Sequence, residues 1–149
     1  HKNITKKSIY NHVELVAKFY KKYFKTKPRI AITGLNPHCE SNFQNCEEDA
    51  TIIPAIKNLI NKNFKVEGPF PADTIFMQEH SRKFDVIIGM YHDQVLTPMK
   101  ALYGFNAINI TLGLPFTRIS PDHGPNFSMI GKNQSNPQSL MEALKFLDK

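Results

Sequence analysis

Two histidines in this chain stand just past the ends of short apolar runs. Phe84-Asp85-Val86-Ile87-Ile88-Gly89-Met90 gives way abruptly to Tyr91-His92-Asp93-Gln94, and Arg29-Ile30-Ala31-Ile32-Thr33-Gly34-Leu35 gives way to Asn36-Pro37-His38. A strand that delivers polar groups at its carboxyl end, just before a helix, is where open α/β sheets place their chemistry. One such histidine is more often a structural residue or a helix cap. Two at matched strand ends put ligation level with the structural reading, because neutral imidazole is the commonest transition-metal ligand. We read His38 and His92 as metal ligands. Asp73, in the loop Gly68-Pro69-Phe70-Pro71-Ala72-Asp73-Thr74, is either the cap of a short helix or a carboxylate that a proline-stiffened loop holds beside the site.

The elements that must position these groups follow from periodicity. Residues 6–25 place Ile9, Val13, Val16, Ala17, Tyr20 and Phe24 on one face at helical spacing, with lysines opposite and Pro28 ending the run. Residues 29–35 read as a buried strand closed by Gly34. A helix is expected over about 49–62, with Glu47-Glu48-Asp49 as negative charge at its start, a capping role rather than a catalytic one. Phe64-Lys65-Val66-Glu67 is a weak strand. Asp93 is expected to cap a helix reaching Tyr103, which puts Lys100 about two turns in. Asn106–Thr111 alternates like a strand, Thr117–Gly124 is dense in polar groups, and residues 138–148 close the chain as a helix with Ser135, Asn136 or Ser139 as its cap. Alternating helix and strand argues for an α/β layered domain.

At 149 residues the chain fits one domain, and 41% hydrophobic with 21% charged residues is ordinary for a globular protein. No apolar run approaches the roughly 20 residues of a membrane span, and nothing resembles a signal peptide, so a cytoplasmic location without membrane partners is expected. The net charge of +6 is unevenly placed. Residues 1–29 carry nine Lys/Arg against Glu14 alone, and the remainder carries ten basic against twelve acidic residues. A basic helix could touch nucleic acid, but no binding motif accompanies it, and no nucleic-acid partner is expected. Cys39 and Cys46 do not form a CxxC pair; both are expected to be free thiols, with Cys39 close enough to His38 in sequence to approach a metal.

In order along the chain come Gly34-Leu35-Asn36-Pro37-His38, Glu47-Glu48, Ile53-Pro54-Ala55-Ile56, Gly68 to Thr74, Met90-Tyr91-His92-Asp93-Gln94, Asn109-Ile110-Thr111-Leu112-Gly113-Leu114-Pro115 and Arg118 to Gly124. This series resembles the 4-hydroxythreonine-4-phosphate dehydrogenase family of vitamin B6 biosynthesis, over the carboxyl-terminal half of that family's usual chain. The resemblance implies NAD(P)-dependent oxidation of a substrate hydroxyl followed by loss of CO2, at a divalent metal held by three histidines. Two of those match His38 and His92. The third lies upstream, and His1 matches neither its spacing nor its flanks. Substrate-binding positions of the family fall on Lys100, Asn109 and Arg118. The chemistry is coherent: a cation polarises the hydroxyl and stabilises the charge left when CO2 departs, and Lys100 and Arg118 offer positive charge for carboxylate and phosphate. Asp93 and Asp73 are candidate catalytic carboxylates, either orienting a ligand or relaying a proton.

The segment from His123-Gly124-Pro125-Asn126 through Gly131-Lys132 to Asn136-Pro137 resembles the cofactor loop of isopropylmalate and isocitrate dehydrogenases, implying that His123, Gly124 and Asn136 bind NAD or NADP without a GxGxxG fingerprint. The plain alternative is a glycine-containing turn before the last helix. Two stretches depart from the family: Cys39 to Cys46 replaces a glycine-rich loop, and Pro125-Asn126 replaces small residues.

The resulting expectation is a layered α/β/α domain of the isocitrate/isopropylmalate dehydrogenase-like type, residues 1–149 forming a single α/β unit that is the metal- and NAD-binding half of a longer two-domain enzyme. The expected reaction is oxidative decarboxylation of 4-phosphooxy-L-threonine to 3-amino-2-oxopropyl phosphate, with zinc, cobalt or magnesium as the metal, and a homodimer as the intact protein. The 149 residues alone are expected to be inactive. The alternatives are a related dehydrogenase acting on threonate or erythronate 4-phosphate, and a non-catalytic binding domain working through the basic helix.

Overall fold

The computed structural model describes residues 3–39, 46–125 and 127–148; His1, the 40–45 stretch of the departing loop and Asn126 lie outside them. The chain divides into two compact units, His1–Leu96 and Thr97–Lys149, and each is described by itself.

In the first unit, helix α1 (Lys6–Tyr23) opens with a reciprocal cap: Ser8 N–H donates to Thr5 Oγ1 and Thr5 N–H donates to Ser8 Oγ, both at 3.0 Å. Strand β1 (Arg29–Thr33) follows. The helix expected over 49–62 starts as a π-helical turn, Glu48–Ile52, before becoming regular as α2 (Ile53–Asn61), with Pro54 in the first turn where no N–H is needed. The weak strand grows into β2 (Lys65–Phe70), which runs through Gly68 and Pro69. Gly68 has φ +140, and a Cβ there would lie 2.4 Å from the Ile32 carbonyl oxygen, so only glycine fits. A short helix α3 (Gln78–Ser81) precedes β3 (Val86–Ile88). Helix α4 (His92–Tyr103) begins two residues earlier than expected, so Asp93 sits inside its first turn rather than capping it, and the unit boundary falls within this helix.

The three strands pair in parallel in the order β2-β1-β3, so β1 is central and β3 lies at the edge of this sheet. β1 is buried on both faces, as central parallel strands are. Ile30 and Ile32 join Val66, Ile9 and Val13 of α1, and Ile52, Ala55, Ile56 and Leu59 in one apolar cluster. Ala31 and Thr33, pointing the other way, are also fully buried. The starts of β1 and β3 are tied by a charged fork. Arg29 N–H and Nε donate to Asp85 Oδ2 at 2.8 and 3.2 Å, and Nη2 donates to Oδ1 at 3.1 Å. These hydrogen bonds hold the Asp85 carboxyl below the usual carboxylate range, and they raise the Arg29 guanidinium in turn. Tyr20 donates its hydroxyl to the Asp85 carbonyl at 2.8 Å; burial, then the nearby Asp85 charge, pushes its phenol up.

The other end of the sheet is closed by one buried amide. Gln94, 6% exposed, accepts from Thr33 Oγ1 at 2.9 Å and from Met90 N–H at 2.7 Å through Oε1, while Nε2 donates to the Gly34 carbonyl at 2.8 Å. Three groups from the ends of β1 and β3 thus satisfy one side chain.

In the second unit, β4 (Ile108–Thr111) and β5 (Arg118–Pro121) pair antiparallel, and α5 (Gln138–Leu147) packs on both. β5 is the strand hidden in the polar-rich stretch Thr117–Gly124. Ser139 is 1% exposed and is no helix cap: its Oγ donates to the Ala107 carbonyl at 2.6 Å and accepts from Asp122 N–H at 2.9 Å. Pro137 occupies the cap position without a side-chain hydrogen bond, and Asn136 just before it accepts from Gln138 N–H through Oδ1 at 2.9 Å. Among the described residues no helix is long and apolar enough to cross a membrane.

Two outcomes follow for stability. Gln94→Leu strands two buried partners and one part-buried one, and at roughly 1–3 kcal/mol for each unsatisfied buried group, partly relieved by relaxation, it costs on the order of 3 kcal/mol; chemical denaturation reads this directly, and a loss under about 1 kcal/mol contradicts the role. Asp85, whose folded pKa is lowered, contributes stability above its unfolded pKa of about 3.9 and loses it as pH falls through the folded value. Asp85→Asn therefore lowers the melting temperature at pH 7, and the gap to wild type closes as the pH drops below about 4.

Candidate metal and substrate site

His38 and His92 leave the same, carboxyl, edge of the sheet from adjacent parallel strands: Ile32 is paired with Ile88, and the histidines follow six and four residues later. Each loop is held by its own polar contacts. In the His38 loop, Asn36 N–H donates to Glu48 Oε1 at 2.7 Å, His38 N–H donates to Asn36 Oδ1 at 3.0 Å, and Ala72 N–H donates to the Pro37 carbonyl at 3.0 Å. Glu48 is 2% exposed, so the acidic triplet supplies a buried anchor for this loop rather than only a solvated helix cap. Gly34 lets the loop close: a Cβ there would meet Cys39 Sγ at 2.5 Å and Glu48 Oε1 at 3.0 Å.

The last of these contacts brings the Asp73 loop against the His38 loop. His38 Nδ1 lies 3.2 Å from Asp73 Oδ2, and Asp73 sits in a turn, not at a helix start. His92 repeats the pattern, with Nδ1 2.8 Å from Asp93 Oδ1. A carboxylate at Nδ1 fixes the proton there and turns Nε2 outward as the lone-pair nitrogen, the arrangement that metal-ligating histidines use. Both imidazoles are exposed. The donor set therefore fits a divalent metal, but incompletely: among the described residues no group of three or more His, Cys, Asp or Glu is placed to hold one. Cys39 does not fill the gap. Burial foremost pushes its thiol up; a backbone hydrogen bond with Gly34 opposes it, the Glu48 and Asp73 carboxylates add to the rise, and the net effect disfavours the thiolate a metal needs. Cys39 and Cys46 are both free.

A cleft of about 360 Å³ opens at His92, walled by Ile88, Met90 and Tyr91 on one side and by Ser8, Ile9 and His12 of α1 on the other. His12 has no role in the sequence reading. Its Nδ1 lies 2.7 Å from the Ser8 carbonyl, which assigns the proton to Nδ1. Its only sequence signal is a histidine on the edge of an apolar helical stripe.

The remaining candidates lie in the second unit. Residues opposite one another in the β4–β5 pair are Asn109 with Ser120 and Thr111 with Arg118, so these four share one face. Asn109 and Arg118 are exposed on it, and Arg118 Nη1 donates to Thr111 Oγ1 at 2.8 Å. Lys100 is not a free cation: its Nζ pairs at 2.9 Å with Asp122 Oδ2, a carboxylate only 16% exposed that Ser139 holds through the backbone. His123 Nδ1 lies 3.2 Å from the Gly124 carbonyl, and its ring meets Phe105 edge-on at 6.4 Å. Asn136 Oδ1 is spent on the start of α5, and Gly124 has open space where a Cβ would stand. The structure thus joins His38 with Asp73, His92 with Asp93, and Arg118 with the Asn109 face, and adds Glu48, Gln94 and Asp122 as the groups that hold them.

The sequence matches the family described as pyridoxal phosphate biosynthetic protein PdxA over residues 1–147. It is 44% identical over 144 residues to a 4-hydroxythreonine-4-phosphate dehydrogenase of Bradyrhizobium diazoefficiens, covering 95% of this chain and 42% of that protein. It is 45% identical over 120 residues to a D-threonate 4-phosphate dehydrogenase of Cupriavidus necator, covering 79% and 36%. The crystal structure of a 4-hydroxythreonine-4-phosphate dehydrogenase from Klebsiella pneumoniae superposes with a TM-score of 0.80 at 34% identity, over 97% of this chain and 45% of that one. The chain thus spans less than half the length of these relatives. With the family matched along nearly all of its residues, this mixed α/β chain belongs to the PdxA family.

Proposed function

We propose that this chain carries the metal-binding histidines and the substrate clamp of an NAD(P)-dependent dehydrogenase that oxidatively decarboxylates 4-phosphooxy-L-threonine to 3-amino-2-oxopropyl phosphate. The observation that carries the reading is the pair of carboxylate-buttressed histidines at the ends of adjacent parallel strands. His38 and His92 hold a divalent metal, zinc, cobalt or magnesium, together with a third ligand from outside these residues. Held there, such a metal would supply Lewis-acid polarisation of the substrate hydroxyl and of the charge left as CO2 departs. Asp73 and Asp93 fix the two imidazoles in the ligating tautomer. Arg118 and Asn109, on one open strand face, hold the substrate's anionic groups and orient it, and Lys100 adds positive charge from a position set by Asp122. His123, Gly124 and Asn136 border the NAD or NADP loop, where the open space at Gly124 leaves room for a close approach.

On this reading the fold is that of the isocitrate/isopropylmalate dehydrogenase-like layered α/β/α type, the enzyme is cytoplasmic, and it acts as a homodimer. Exposed Phe116, Phe127 and Ile130 in the second unit support the last of these, since apolar surface of that size is normally covered. A second reading, a dehydrogenase of threonate 4-phosphate, draws support from the near-equal identity to relatives of either name. The two substrates differ at C2, amine against hydroxyl.

Three outcomes test these readings. Asp73→Asn and Asp93→Asn each weaken divalent-metal binding about 10–100-fold, while His38→Ala and His92→Ala abolish it in calorimetric titration; retained binding in the histidine variants sinks the metal reading. Arg118→Lys, which loses the two-pronged contact, raises KM on the order of tenfold with a smaller change in kcat. A panel of phosphorylated hydroxy acids assayed with the full-length protein gives the highest kcat/KM for the threonine derivative, whereas preference for threonate 4-phosphate selects the second reading; turnover by the 149 residues alone overturns the need for an outside ligand.

A further inference from the structure

The opposite, amino edge of the three-stranded sheet holds a second and larger cavity of about 500 Å³. It is formed by the second half of α1, the link into β1 and the link from α2 into β2. Because β1 and β2 are parallel, this edge is the one farthest along the strands from the histidine loops. Six lysines line it: Lys18, Lys21, Lys25, Lys27, Lys62 and Lys65. The acidic counterweight there is Glu14, which pairs with Lys18 at 3.3 Å.

Part of this charge has an ordinary explanation. Lys21 lies in the last turn of α1 and complements its dipole. Lys62 rests over the Tyr10 ring at 4.2 Å, and Lys25 donates to the Lys22 carbonyl at 2.8 Å. Lys27 and Lys65 lie outside both helices, and among the described residues neither Lys21 nor Lys27 has a carboxylate partner. The floor is apolar: Pro28 and Ile30 are buried, and Phe64 is half-buried. A cleft lined by charge of one sign on low-dielectric walls focuses potential and concentrates the opposite charge. A volume of this size suits a small molecule rather than a polymer. Every cation lining it is lysine, a flexible point charge that accommodates phosphate without the planar register that a two-pronged arginine demands.

We propose that this groove binds a small phosphorylated ligand with a flat apolar body, of nucleotide size, at a site separate from the histidine loops. The phosphates meet Lys21, Lys27 and Lys65, and the body packs on Ala17 and Phe64, both half-buried. This proposal does not depend on the dehydrogenase reading.

Hydrogen exchange on the intact protein with ATP as probe, adenosine and tripolyphosphate as controls, tests it. The expected result is protection of residues 17–30 and 62–66 by ATP, weaker protection by tripolyphosphate, none by adenosine, and an affinity that falls as salt rises. The exposed-surface double variant Lys21→Glu, Lys27→Glu weakens ATP on the order of tenfold or more at low salt and leaves divalent-metal binding at the histidines unchanged. Protection confined to residues 120–137, equal affinity for ATP and tripolyphosphate, indifference to the double variant, or tighter binding of polyglutamate than of ATP each overturns the proposal. Loss of metal binding in His92→Ala with ATP protection intact separates this site from the proposed dehydrogenase centre.

Discussion

One buried amide sets the geometry on which the candidate site rests. Gln94 reaches from the first turn of α4 to the ends of β1 and β3, and its three hydrogen bonds leave no choice of orientation. The Met90 N–H can only donate and the Gly34 carbonyl can only accept, so oxygen and nitrogen of the amide are assigned by their partners. Inside a protein such a network is worth more than in water, and costs more when broken. The loops that follow β1 and β3 are therefore fixed relative to one another before either histidine is considered. Neither an apolar residue nor glutamate can substitute: the first satisfies nothing, and the second cannot donate to Gly34.

The same logic recurs one step outward. Each functional side chain is aimed by a neighbour that spends its own polar capacity on the task. Asp73 and Asp93 occupy the Nδ1 sides of the two imidazoles, Glu48 ties down the backbone before His38, and Asp122 holds Lys100. Asp122 is in turn fixed by Ser139, whose hydroxyl donates to one backbone group and accepts from another. Among the described residues no buried side-chain nitrogen or oxygen is left without a partner. Glu48, Gln94 and Ser139 are buried where they hold the backbone, whereas Asp73 and Asp93 meet the imidazoles at the surface.

What the sequence made legible, and what it hid, follows from the range of the interactions. Apolar runs ending in histidine, the helical stripe of α1 and the strand before His38 are local patterns, and each is observed where periodicity puts it. The local prior for an aspartate before a helix is a cap, and that prior was wrong for Asp73 and Asp93. Both spend their carboxylates on histidines, one of them 35 residues away. Gln94 and Thr33 are 61 residues apart, and Ser139 and Ala107 are 32 apart; no spacing rule connects them. β5 was missed because Arg118-Ile119-Ser120-Pro121 is short, polar on one face and ends in proline. It is a strand because β4 offers it a register and α5 covers its apolar face. Lys100 looked like a free cation for the same reason: its carboxylate partner lies 22 residues downstream.

Parallel pairing also separates the two proposed sites on one small sheet. Every strand of the first unit enters at one edge and leaves at the other, so loops at the two edges are built from different segments and can change independently. The carboxyl edge carries two imidazoles, each with a carboxylate beside its Nδ1. The amino edge carries lysines, with the Arg29–Asp85 fork closing the strand starts beside them. Asp85 spends its hydrogen bonds on Arg29 and also feels the charge of Lys65, so it tempers that lysine alone among those lining the groove, and the positive charge of the amino edge rests on the lysines beyond its reach.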